Sequence, residues 1–358
     1  MKILDWYILK RYLLTFFMML LLFIPIGITV NLAEKIGKIL ENKVPFAAVA
    51  QYYLDFTIYF ATLLLPIFLF LSVIWFTSKL ANNTEVVAFL SSGVSYTRFL
   101  RPYLIGATLI AILALVLGMY LAPSASDGFN KFKYRYFKSS RDVQQTVNIY
   151  RQINDNEYIY VSNFDPRIKR GYYFTLEHFE GTKMTHKISA NNLVYNEEDS
   201  TYTLNSYTIR KIGEDNEIIE SKRKQDTVLD FSIDDLTPVQ YIAETLSYGE
   251  LTDFIEKERE RGSSNINRYL VVKYKKWSLP VSVFILTIIA VAVSSMKRRG
   301  GMGINLAFGI TIAMIFVFFD KVFGVMAEQS DFSPLIAVWL PVVIFGIFAF
   351  VLLQYAKR

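Results

Sequence analysis

A polar stretch, residues 123–273, divides this chain into two groups of hydrophobic runs, three before it and three after. Each run is long enough to cross a bilayer, because about 20 apolar helical residues cover the roughly 30 Å hydrocarbon core. Three crossings on either side return both ends of the polar stretch to the same face of the membrane. The sequence therefore predicts a polytopic α-helical membrane protein with six transmembrane helices and an extramembrane domain inserted between two halves. Charge follows the same division. Residues 124–273 hold 21 Lys/Arg and 24 Asp/Glu, whereas the remainder holds 17 and 8, so the net charge of +6 resides in the membrane-flanking parts. That is the balance of an integral membrane protein with an external domain.

The six spans are expected at residues 12–33, 56–78, 102–122, 277–296, 301–325 and 332–355. The first lacks Asp, Glu, Lys and Arg, and no small-residue cleavage pattern follows it, so it reads as a retained span. Pro25 and Gly27 in its middle fit a kink or a close helix contact. Short segments on one side collect Lys2, Lys10, Arg11, Lys79, Arg98, Arg101, Lys297, Arg298, Arg299, Lys357 and Arg358, while the other side has only Lys35, Lys38 and Lys43. Basic loops stay on the cytoplasmic side, so both termini are expected inside and the polar domain outside. Glu34 and Lys38, spaced i, i+4 beyond the first span, are expected to form a solvated salt bridge on a continuation of that helix.

Between the second and third spans lies a short helix at about residues 82–93. Asn82, Asn83 and Thr84 are N-cap candidates, Glu85 favours the positive end of the helix dipole, and Gly93 supplies a stop. Its Val86, Val87, Phe89 and Leu90 are too few to span a membrane and must meet the membrane surface or another protein.

Within the polar stretch, Glu157 to Val161, Tyr172 to Leu176 and Thr201 to Leu204 are rich in β-branched and aromatic residues. Turn clusters at Asp165-Pro166, Glu180-Gly181, Asn196 to Ser200 and Gly213 to Asn216 separate them, predicting an antiparallel sheet or open jelly roll. Past Pro238 the period becomes helical. Residues 249–261 put Leu251, Phe254 and Ile255 on one face, with Gly262 as a stop. A second helix carries Arg268, Tyr269 and Lys276 towards Pro280, and Lys273, Lys275 and Lys276 are placed to snorkel to lipid headgroups.

Catalytic chemistry finds little to work with. The absence of cysteine excludes disulfides, thiolate metal sites and a cysteine nucleophile. His178 and His186 read as ordinary surface histidines without an acidic cluster at metal-ligand spacing, so no metal site is assigned. The chain has no Gly-x-x-x-x-Gly-Lys-Ser/Thr loop, no Gly-x-Ser-x-Gly elbow and no His-Glu-x-x-His helix. No nucleic-acid motif accompanies the basic charge, and no nucleic-acid partner is expected.

Several motifs resemble the LptF/LptG permease family, the transmembrane subunits of the lipopolysaccharide exporter. They are Glu85-Val86-Val87 with Ser92-Gly93, the opening Leu4-Asp5-Trp6-Tyr7-Ile8 with Lys10, and Asp320-Lys321-Val322-Phe323-Gly324. The last two favour the LptG branch, and the resemblance covers the whole chain in order and spacing. It implies a first transmembrane half at 1–122, whose helix at about 82–93 is a coupling helix. A periplasmic β jelly-roll-like domain follows at 123–246, a periplasmic helical connection at 247–276, and a second half at 277–358.

The same resemblance implies a non-enzymatic permease subunit of an ABC-type exporter in the bacterial inner membrane. It would extract lipopolysaccharide from the outer leaflet and pass it to a periplasmic bridge. Its implied partners are a second LptF/LptG-type permease, an LptB-type ATPase dimer that uses ATP and magnesium, and LptC- and LptA-type periplasmic jelly-roll proteins. No cofactor is intrinsic to the chain. Glu85, Val86, Val87, Phe89 and Leu90 would then face the ATPase, while Lys35 and Lys38 would contact lipid phosphate and Asp320 and Lys321 would shape a lateral gate. Adjacent on a helix, Asp320 and Lys321 point about 100° apart and cannot simply neutralise each other. The alternative expectation is a non-transporting membrane scaffold or signal transmitter with a protein-binding β-domain. Intramembrane charge near a lipid-sized cavity and a co-purifying ATPase separate the two.

Overall fold

In the computed structural model, α1 (Ile3–Glu41) is a single helix of 39 residues. At about 1.5 Å per residue it reaches nearly 60 Å, twice the hydrocarbon thickness, so part of it must project beyond the membrane. The structure describes residues 3–137, 146–165, 168–196, 199–213, 216–231, 236, 242–260, 263, 265–295, 301–330 and 332–356. Lys2, Pro166, Pro238, Gly262, the basic stop Lys297-Arg298-Arg299, Lys357 and Arg358 lie outside the described residues, as do parts of the expected turns at 196–200 and 213–216.

After α1 come α2 (Phe46–Asn82), the short α3 (Glu85–Ser91) and α4 (Tyr96–Val116). A π-helical turn at Leu117–Leu121 leads into α5 (Ala122–Phe132), and a second π turn follows at Lys133–Phe137. The third hydrophobic run therefore continues helically past residue 122, where the sequence placed its end. Proline lacks a backbone donor, and Pro123 enters just where the π turn has already interrupted the regular ladder. The second half contains α8 (Ile266–Ser294), α9 (Gly301–Gln329) and α10 (Pro334–Ala356). Together with α1, α2 and the Tyr96–Phe137 run, these make six helices long and apolar enough to cross a membrane among the described residues.

The helical unit comprises Met1–Phe137, Ala243–Leu251 and Asn267–Arg358. Its largest core joins Ile8, Tyr12 and Phe16 of α1 to residues of α2 and α4, and to Val283, Leu286 and Ile289 of α8. Close backbone approach requires a missing side chain at Gly106, where an added Cβ would overlap the Tyr12 ring. Small residues at such crossings gain packing that the lipid-facing surface cannot supply. A second, aromatic cluster stacks Tyr52 on Phe129 and Phe132 with ring centroids at 5.3 and 4.4 Å, fixing the early part of α2 against α5.

A separate unit, Lys138–Ile242 with Thr252–Ile266, contains the sheet. Strands β1 (Thr146–Asn154), β2 (Glu157–Asp165), β3 (Arg170–Glu180), β4 (Lys183–Asn196), β5 (Thr201–Ile212) and β6 (Glu217–Thr227) are antiparallel and lie side by side in chain order. The inserted antiparallel sheet expected from the aromatic and β-branched segments is thus present. Register brings like faces together: Val161 pairs with Phe174, Phe174 with Ala190, and Leu193 with Leu204. A one-residue slip would turn these apolar sets to the other face, so burial specifies the pairing. Gly181 makes the β3–β4 turn at φ +64, a conformation favouring glycine.

The short α6 (Ile242–Thr245) and then α7 (Tyr248–Glu260) follow the strands. Leu251 and Ile255 of α7 are buried, as the helical period predicts. In the sheet unit, buried Arg151 of β1 pairs with buried Glu258 at 3.5 Å and donates to the Ser263 hydroxyl at 3.2 Å. Removing one member of such a pair leaves a charge in a poorly solvated place, typically at a cost of about 3–5 kcal/mol.

Candidate functional site

Glu85 opens α3, where a carboxylate meets the positive end of the helix dipole. The expected side-chain cap at residues 82–84 does not form. Asn82 still belongs to α2, and Thr84 adopts φ +61 without capping through its hydroxyl. Glu85 is instead held by two donors, the Tyr7 hydroxyl at 3.2 Å and Asn83 Nδ2 at 3.2 Å. Gly93, at φ +83, stops the segment as its sequence position implies.

The apolar residues of α3 divide into two pairs. Val86 is 2% exposed and joins the main core, and Phe89 packs against that core with its ring centroid 6.4 Å from Phe99. Val87 and Leu90 are 53% and 37% exposed. A helix puts successive residues about 100° apart, so these four cannot form one outward patch. Val86 and Phe89 anchor α3 to its own subunit and leave Val87 and Leu90 facing away. Beyond α3, Arg98 reaches buried Asp5 at 3.4 Å, and the Ser95 side chain caps α4 by accepting from the Arg98 backbone N–H. The first turns of α1 thus touch both flanks of α3, Tyr7 before it and Asp5 after it.

At the other end of α1, the expected Glu34–Lys38 pair is replaced. Glu34 pairs with its neighbour Lys35 at 2.5 Å, and Lys38 Nζ donates to the Phe137 carbonyl at 2.8 Å. Asn42 Nδ2 also bonds the Tyr136 carbonyl at 2.8 Å. Phe137 closes the π turn after α5, where helix carbonyls lack intrahelical donors, so its carbonyl can accept from the Lys38 ammonium. Lys35 and Lys38 both emerge near this helix end, but only Lys38 is tied to another segment.

Asp320 and Lys321 do not pair with each other, and both lie near Lys275 of α8. Asp320 pairs with Lys275 of α8 at 2.9 Å, and exposed Lys321 lines a pocket together with Lys275, Lys276 and Glu244. The snorkelling expected for Lys275 and Lys276 does not occur. Lys276 is 8% exposed and donates to the Gly118 carbonyl at 3.0 Å and to the Leu246 carbonyl at 3.1 Å. Gly118 lies in the π turn after α4, a break in the ladder that gives the buried ammonium an acceptor. Lys273 stands over the Tyr248 ring, 5.7 Å from its centroid. Sequence reasoning missed Tyr7, Asn83, Lys275 and Lys276 as partners. Only the charge of the two lysines within a span could have marked them. No cluster of metal-ligating side chains occurs among the described residues.

Six apolar helices, a short helix exposed between two of them and an inserted antiparallel sheet define a multi-pass membrane protein. The model of the family "Lipopolysaccharide export system permease LptF/LptG" matches residues 6–355, and the chain belongs to that family. It is accordingly a membrane subunit of a lipopolysaccharide export system, of the permease type and not itself catalytic. Comparison with curated proteins gave no match.

Proposed function

We propose that the chain is the LptG-like member of a permease pair driven by a separate ATP-hydrolysing dimer of the LptB type. The observation that carries this reading is the division of α3: Val86 and Phe89 fasten the helix and half-buried Glu85 is held by Tyr7, while Val87 and Leu90 remain at its outer side. A seven-residue helix fixed between two spanning helices suits a push from a docked protein, because its displacement is passed to the spans on either side. ATP and magnesium belong to that partner. The opening Leu4-Asp5-Trp6 and the Asp320 to Gly324 segment favour LptG over LptF.

In this reading both termini and α3 are cytoplasmic and the sheet is periplasmic, in line with the distribution of short basic segments. Lipopolysaccharide is extracted from the outer leaflet of the inner membrane, and its anionic headgroup meets Lys35 and Lys38 at the periplasmic end of α1. Asp320 and Lys321 shape the gate on α9. The lipid then passes over the sheet to LptC- and LptA-type jelly-roll proteins. A Lys35→Asp, Lys38→Asp double substitution tests the lipid contact. It should lower co-purifying lipopolysaccharide and lipid-stimulated ATP hydrolysis while ATPase recovery is unchanged. Wild-type levels of both would make these lysines helix anchors only.

A further inference from the structure

The helical unit contains a pocket whose walls are apolar and whose charged groups are mostly cationic. Tyr59 and Leu63 of α2, Pro123 of α5, and Val272 and Leu279 of α8 form much of its surface. Lys275, Lys276 and Lys321 line it against a single lining carboxylate, Glu244. Lys275 gives two of its three ammonium donors to Asp320, one to the carboxylate at 2.9 Å and one to the backbone carbonyl at 3.4 Å, and keeps the third. Lys321 of α9 is exposed and makes no hydrogen bond or ion pair among the described residues.

Three ammonium groups gathered on spanning helices are costly unless a partner offsets them. Asp320 balances one and Glu244 on the pocket wall offsets a second, while two backbone carbonyls satisfy Lys276 without supplying negative charge, so one positive charge is left over. The remaining cationic excess calls for an anion. Apolar walls favour an anion that carries hydrocarbon, and Leu63, 46% exposed, extends the apolar surface outwards. The volume of about 220 Å³ falls below the roughly 300 Å³ at which pockets begin to enclose drug-sized ligands. One phosphodiester and its first methylenes suit that space, whereas a phosphorylated disaccharide bearing several acyl chains does not.

We propose that this pocket is an intrasubunit site for the headgroup phosphate of an anionic membrane phospholipid, held between Lys321 and Lys275 with its acyl chains lying along Leu63. The occupant is bulk membrane lipid, distinct from the exported lipopolysaccharide. No residue of α3 takes part, so failure of the ATPase-docking reading leaves this site standing.

Native mass spectrometry of the full-length protein in mild detergent tests the site, with dioleoyl-phosphatidylglycerol, dioleoyl-phosphatidylcholine, lipopolysaccharide and inorganic phosphate as separate probes. The wild type should retain one phosphatidylglycerol in preference to phosphatidylcholine. Lys321→Gln should weaken that binding about tenfold, the loss of one charge-assisted hydrogen bond, and Lys321→Arg should largely restore it. Leu63→Trp, which fills the mouth without changing charge, should also weaken it. Equal retention of the two phospholipids, or phosphatidylglycerol binding indifferent to both Lys321→Gln and Leu63→Trp, overturns the proposal. So does displacement of the bound phospholipid by equimolar lipopolysaccharide or by inorganic phosphate, which would assign the pocket to the substrate or to a free anion.

Discussion

The Tyr7 hydroxyl donates to the Glu85 carboxylate at 3.2 Å, linking the first turns of α1 to the start of α3. Since Arg98 also reaches Asp5 from the beginning of α4, motion of α3 bears on the helix whose far end carries Lys35 and Lys38. Glu85 therefore has an internal partner as well as its proposed external one, and the two roles separate by mutation. Tyr7→Phe should cost about 1 kcal/mol of local stability, the net worth of one hydrogen bond, and leave ATPase recovery near wild type. Glu85→Ala should weaken ATPase association or uncouple hydrolysis from export, with a coupling loss on the order of 2–5 kcal/mol at the contact. Both are read by quantifying the ATPase that co-purifies and lipid-stimulated hydrolysis. Equal small effects from the two substitutions would reduce Glu85 to a helix-start residue.

Orientation is open to a direct chemical test, because the chain contains no cysteine to confuse it. A cysteine at Ser200, in the β4–β5 connection, should react with an impermeant thiol reagent applied from the periplasmic side. One at Ser92, after α3, should be protected until the membrane is permeabilised. The opposite pattern would invert the proposed topology and remove α3 from the ATPase's compartment.

The two histidines face each other across β3 and β4, His178 opposite His186. Partial burial, then Lys211 and His178, push the His186 pKa below its ordinary value of 6.5, with Glu157 opposing. The fold therefore favours neutral His186. Its contribution to stability is fully present above pH 6.5 and declines as pH falls from there through the lowered folded-state value, where the unfolded chain takes up the proton more readily. Hydrogen exchange in β3 and β4 of the full-length protein should accelerate between about pH 7.5 and about pH 5.5, after correction for intrinsic rates. His186→Gln should flatten that dependence. An unchanged profile in the variant would assign the effect to other groups.

Membrane spans and the inserted sheet were legible because both express a single dominant force. Long apolar runs identify spanning helices, and β-branched or aromatic clusters between turn residues identify strands. Partners across the fold were less legible. Lys38 was readable as helical i, i+4 chemistry with Glu34, yet it bonds a carbonyl 99 positions away, exposed by a π turn that no local pattern announces. Val86 and Val87 are adjacent and chemically identical, so only the packing of α3 could assign one to the core and the other to the surface. Lys276 looked like a snorkelling side chain because its acceptors, Gly118 and Leu246, come from distant segments.

Gentle detergent purification of the full-length protein from its native membrane, with identification of everything that accompanies it, tests the central claim most directly. A permease subunit of the proposed exporter should come away with a second LptF/LptG-type permease, an ATPase dimer and bound lipopolysaccharide. ATP hydrolysis by that preparation should rise when lipopolysaccharide is added. Recovery of the intact protein with neither an ATPase nor lipopolysaccharide, under conditions that preserve other membrane complexes, would contradict the account.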